Sequence, residues 1–161
     1  MAQTRFSGPV RSDNGFIGAI VVTTPAPVTT ATYAATSADA GRTVVLDRAA
    51  GITVTLPAAT GTGAVYRFFV KTTITSNNTI IRVANSTDVM QGFAVVLQDA
   101  GDTMVGFETA ADSDTITFNG TTTGGVRGTL VDLIDVEAGL WSVNLRGAAT
   151  GVEATPFSAT V

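Results

Sequence analysis

The stretch ITVTLP, Ile52 to Pro57, alternates apolar residues with threonine at a period of two. That alternation puts one side of an extended chain in a core and the other in water. It does not stand alone. Short runs of the same kind recur along the chain: TVVLD (43–47), AVYRFFVKT (64–72), NTIIRVAN (78–85), VMQGFAVVLQ (89–98), TMVGFETA (103–110), DTITFN (114–119), VRGTLVDLIDV (126–136) and LWSVNLRG (140–147). Turn signals separate them: SNN before residue 79, DAGD at 99–102, EAGL at 137–140. Short strands with turns every eight to twelve residues specify an all-β chain, a single β-sandwich or barrel-like domain. No window holds a 3.6-residue period over three turns. Helix is therefore expected only as about one turn near Ala38–Gly41, started by Ser37 and stopped by Gly41 in the left-handed region.

Three zones follow from the punctuation. Residues 1–22 read as an extended arm. Residues 23–37, TTPAPVTTATYAATS, read as a Pro/Thr/Ala linker leading into a first strand near Thr30–Ala34, because Pro25 and Pro27 favour extended backbone and cannot donate ladder hydrogen bonds. Residues 38–161 read as the β-body. The chain of 161 residues is long enough to bury a full core.

Charged residues make up only 14% of the chain, against about 25% in an ordinary soluble domain. Threonine, roughly one residue in six, fills the gap; its branched Cβ suits the solvent face of a strand. A surface so poor in charge suits a protein packed against other subunits. The net charge is −4 and Lys71 is the only lysine, so nucleic acid is not an expected partner: phosphate contacts need clustered Lys and Arg. Arg5, Arg11 and Asp13 break any signal-peptide core, and Ile17–Val22 is too short to span a bilayer, so no membrane association is expected and synthesis in a cytoplasm is.

The residues for common site chemistry are missing. Without histidine or cysteine, Ser-His-Asp catalysis and His- or Cys-ligated metals are excluded. The acids are expected in turn or surface roles: Asp112 and Asp114 on one strand face, Asp99 and Asp102 in one turn, Asp132 and Asp135 on opposite faces. The aromatic platforms a sugar site needs reduce to Trp141, Tyr33 and Tyr66, with no acid pair tied to them. Neither AADSDT (110–115) nor QDAGD (98–102) has calcium-loop spacing. GTG (61–63) lacks the Lys-Ser/Thr of a phosphate loop and reads as a turn; FNGTTTGG (118–125) reads as a flexible hairpin loop. The expectation is a protein that is not an enzyme, with no cofactor and no metal.

What stays distinctive is RFSGPVRSDNGFIG, residues 5–18. It has no strand or helix periodicity, yet it carries Phe6, Val10, Phe16 and Ile17, which a solvated tail would not need. Gly8-Pro9 and Asn14-Gly15 would bend it. This segment resembles the N-terminal arm of small structural proteins of tailed bacteriophages. LDRAAGITVTLPAATGTGAVYRFFV (46–70), TITSNNTIIRVANSTDVMQG (73–92) and DTITFNGTTTGG (114–125) are similar to stretches of phage capsid decoration, or cement, proteins. The resemblance implies a non-enzymatic virion protein on the outer surface of the capsid. It would bind the major capsid protein as a homotrimer and clamp neighbouring subunits. In that role Phe6, Val10, Phe16 and Ile17 would anchor the arm, and Arg5 and Arg11 would pair with acidic capsid loops. The alternative is a head-fibre or tail-fibre module that binds a host surface glycan, which would expose an aromatic and carboxylate cluster at a loop end.

Overall fold

The computed structural model describes residues 26–101 and 103–161. The arm residues Arg5, Phe6, Val10, Arg11, Phe16 and Ile17 lie outside the described residues, as does Asp102 of the 99–102 turn. The body is all-β. Its strands are β1 (Thr32–Ala34), β2 (Thr43–Leu46), β3 (Thr53–Thr55), β4 (Val65–Val70), β5 (Thr79–Arg82), β6 (Val89–Leu97), β7 (Met104–Glu108), β8 (Thr115–Phe118), β9 (Leu130–Glu137), β10 (Leu140–Ala148) and β11 (Phe157–Ser158). They form a five-stranded sheet in the order β1-β3-β5-β8-β11 and a six-stranded sheet in the order β2-β4-β9-β10-β6-β7. The two sheets share one apolar core, as a sandwich requires.

The alternation read from the sequence is what builds that core. Ile52, Val54 and Leu56 are buried, while Thr53 and Thr55 between them are partly exposed. Across the five-stranded sheet, Tyr33, Val54, Ile81, Ile116 and Phe157 stand in one register row. Across the six-stranded sheet, Val44, Phe68, Val131, Leu145, Ala94 and Phe107 form another. Trp141, the only tryptophan, is fully buried against Tyr66, their rings edge-on with centroids 5.4 Å apart. Tryptophan emission blue-shifted from that of the free amino acid, moving red only at the global unfolding transition, is the expected fluorescence result.

The connections depart from a chain of hairpins. From β1 to β5 each successive strand changes sheet. So β1, β3 and β5 lie side by side in parallel, as do β2 and β4. Among the described residues only β6–β7 and β9–β10 are sequential antiparallel pairs within one sheet, at the DAGD and EAGL turns. The segment expected as a linker contributes to the body from Val28, which is buried and bridges Leu46 on β2. The helical turn is a single 3-10 turn, Ser37–Asp39, and Gly41 has φ 73°. Its start is one residue earlier than expected: Thr36, not Ser37, precedes it, and the Thr36 amide and hydroxyl donate to the Asp39 carboxylate at 2.8 and 3.2 Å.

Two further expectations are corrected. Residues 118–125 are not a hairpin loop, because β8 and β9 belong to different sheets. The segment crosses between layers, and the Asn119 side chain organises it: its oxygen accepts from the Thr121 and Thr123 amides at 2.8 and 3.1 Å, and its amide donates to Thr122 Oγ1 at 2.8 Å. Gly120 must be glycine here, since at φ 80° a Cβ would sit 1.8 Å from the Ile74 carbonyl oxygen. Asp112 and Asp114 do not share a strand face either. Asp112 is exposed in a turn and Asp114 is buried before β8.

Candidate functional site

Asp132 and Asp135 do lie on opposite faces of β9. Asp132 points outward and bridges two guanidinium groups, Arg67 Nε at 2.6 Å and Arg146 Nη2 at 2.8 Å. Asp135 points inward, beside Trp141 in the register. Its carboxylate accepts the amides of Thr60, Gly61 and Thr62 at 2.8, 2.7 and 3.0 Å and the hydroxyls of Thr60 and Thr62 at 3.3 and 2.6 Å. The GTG turn is thus an anion nest filled by the protein's own carboxylate. Asp88, also buried, accepts the neighbouring Ala59 amide at 2.8 Å. Asp114 holds the C-terminal residues: it accepts the Thr160 and Val161 amides at 2.8 and 3.0 Å and the Thr115 hydroxyl at 2.7 Å.

Burial works against ionisation of Asp135, but the Thr62 hydroxyl and the loop amides outweigh it and hold its pKa at about 2. Asp114 is lowered by the same balance, burial opposed by the Thr160, Thr115 and Val161 hydrogen bonds. An unfolded aspartate titrates near 3.9, so the unfolded chain takes up these protons first as the pH falls. The stabilisation from Asp135 is full above about pH 5 and is lost between about pH 4 and 2; that from Asp114 is likewise lost as the pH falls below the ordinary aspartate range. The urea midpoint is expected to hold steady from pH 7 to 5.5 and to drop across that lower window. A midpoint that declines between pH 7 and 5.5 would contradict this assignment.

These acids are structural clamps, and the aromatic platforms are equally committed. Trp141 and Tyr66 are buried; Tyr33 is half-buried and donates its hydroxyl to Asp39 Oδ1 at 2.7 Å. Burial, then the Asp39 hydrogen bond, pushes the Tyr33 pKa up to about 12. Among the described residues no group of three or more acids is placed to hold a metal ion.

What remains open to a partner is a face. The outer side of the five-stranded sheet is dressed in threonine: Thr32, Thr53 and Thr117 flank Ile80, and Thr55 lies beside Arg82, while Thr115 on the other side of Arg82 is buried against Asp114 and Thr160. The outer side of the six-stranded sheet is different. One register row reads Val45, Phe69, Leu130, Arg146, Val95, Gly106. At one corner Phe93 and Leu97 on β6 and Met104 on β7 are 49, 48 and 69% exposed. With Val95, Arg127 and Arg146 they line a groove of about 600 Å³. At the diagonal corner Val65, Ile134 and Val136 are exposed, next to exposed Glu137. The Arg67–Asp132–Arg146 bridge runs between the corners. Apolar side chains in such number on an open sheet face make it the candidate site of this body.

Asp132 apart, no residue of this face was singled out by sequence reasoning. A signal was present: in FAVVL (93–97) both alternating sets are apolar. A strand of that kind is covered on both sides, by its own core and by something else. No protein-family model, no curated protein and no solved structure matches this chain.

Proposed function

We propose that this chain is a non-enzymatic structural protein of a phage virion. In this reading it binds the outside of the capsid as a homotrimer and stabilises contacts between neighbouring capsid subunits. The observation that carries the reading is the two-sided character of the body. One outer face is threonine-covered and suited to water, the other is apolar and suited to contact, and the acids that catalysis would use are tied into loop clamps. The low charge of 14% and the resemblance of residues 5–18 and 46–70 to phage cement proteins support the same role. The glycan-binding alternative loses support, because Trp141 and Tyr66 are buried in the core.

The arm is the proposed latch. Burying Phe6 and Phe16 in capsid pockets contributes about 1.5–3 kcal/mol each before entropy costs. Three arms per trimer multiply the effect by avidity. A chain beginning at Thr23 is expected to keep its β-sheet circular dichroism and its thermal transition while losing binding to parent capsids, measured by co-sedimentation. The Phe6→Ala/Phe16→Ala double variant is expected to weaken binding in the same direction. Full decoration by the truncated chain would rule out the arm as the latch.

A further inference from the structure

We infer that the outer face of the six-stranded sheet is where copies of this chain meet, the Phe93/Leu97/Met104 corner of one copy seating on the Val65/Ile134/Val136 corner of the next. The inference rests on the proposed trimer but not on capsid binding.

The first reason is the contrast between the two sheets. This sequence can cover an outer sheet face with threonine and does so on the five-stranded side. On the six-stranded side it places Phe93, Leu97, Met104, Val65, Ile134 and Val136 in the open. Apolar area left exposed in one place and avoided in another is area that a partner removes from water.

The second reason is charge. The first corner is rimmed by Arg127, exposed in the groove wall. The second is rimmed by Glu137, exposed beside Val136. Neither forms an ion pair with a described residue, in contrast to Arg67, Arg146 and Asp132, which satisfy one another between the corners. A basic apolar corner and an acidic apolar corner on one face complement each other between copies. They cannot meet within one copy, because two strands, β9 and β10, separate β4 from β6, and Arg127 and Glu137 lie at opposite ends of β9.

The third reason is closure. Two different patches in contact make a head-to-tail interface, and such an interface must close into a ring or run on as a filament. A sheet face turned toward a three-fold axis brings one flank of each copy against the other flank of its neighbour. The Arg67–Asp132–Arg146 belt then lies nearest the axis, with its charges already paired. Glu108, opposite Phe93 on the edge strand β7, falls on the outer rim.

Light scattering coupled to size exclusion, on the full chain, tests this. The wild type is expected at three times the 16.4 kDa chain mass. The Phe93→Asp/Met104→Asp double variant is expected at the monomer mass with its β-sheet circular dichroism intact, while Thr32→Asp, at an exposed position on the outer side of the other sheet, stays at the wild-type mass. Charge variants give a second readout that does not depend on core packing: Arg127→Glu and Glu137→Arg are each expected to raise the dissociation constant at least tenfold, and the two together to restore it. A double Asp variant that stays at the wild-type mass, or charge variants that fail to rescue each other, would overturn the interface while leaving the trimer standing. A wild type that is monomeric at every concentration would overturn both. Capsid co-sedimentation reports separately on the binding role.

Discussion

Replacing Asp135 by alanine is expected to destabilise the fold by about 3 kcal/mol, through the buried donors it leaves without an acceptor. For a chain of this size that is a drop in melting temperature of roughly 6–12 °C. The carboxylate takes five hydrogen bonds from residues 60–62, and it does so from β9, across some 75 positions of sequence. Without it the Thr60, Gly61 and Thr62 amides lose their acceptor, and the loop between β3 and β4 loses its side-chain tie to β9, the neighbour of β4 in the larger sheet. Asp135→Asn is expected to be little better, since an amide puts two donors where the nest presents only donors. A surface control, Asp112→Ala, is expected to change the melting temperature negligibly. The effect is expected to be smaller at pH 2.5, where Asp135 is partly protonated in the wild type; equal losses at pH 7 and pH 2.5 would show that the charge is not what binds the loop.

Trp141→Ala is expected to cost about 3–5 kcal/mol, the range for deleting a buried aromatic side chain. Trp141 is completely buried, packed edge-on against Tyr66, and sits on β10, the strand between β9 and β6 at the centre of the larger sheet. Its loss opens a cavity at the point where the hairpin partner β9 and the parallel partner β6 are both held. Trp141→Phe is expected to recover most of the loss. It keeps an aromatic ring against Tyr66 and removes the indole Nε1 donor, which has no hydrogen-bond partner among the described residues. Chemical denaturation of the three proteins decides this. A phenylalanine variant as unstable as the alanine variant would mean that the size of the indole, not aromatic packing, holds the site.

The two variants also separate what is local from what is not. Trp141 was legible as an apolar position in the LWSVNLRG run, and its burial follows from the period-two pattern. Asp135 carried a weaker signal. It occupies the inward phase of β9 after Val131 and Leu133, and an acid in that phase must find a partner. Nothing in the residues around it names the loop at 60–62 as that partner. The apolar outer face of the larger sheet was half legible. FAVVL (93–97) shows that two sides of β6 need cover, but the row joining Phe69, Leu130 and Val95 exists only once β4, β9, β10 and β6 are laid side by side.

By itself, the sequence determined the all-β class, the inward and outward phase of Ile52–Pro57, the turns that join β6 to β7 and β9 to β10, the left-handed stop at Gly41 and the opposite faces of Asp132 and Asp135. Each is a local matter: side-chain alternation and turn chemistry act over a few residues and are written in them. Only the tertiary structure decided that β1, β3 and β5 run in parallel, that β10 lies beside β6, that residues 118–125 cross between sheets, and that the two-residue β11 closes the smaller sheet. The physical reason is that strands pair through backbone N–H and C=O groups, which every residue but proline carries alike. An alternating strand accepts many neighbours, and the choice among them falls to the packing of whole sheets on one core.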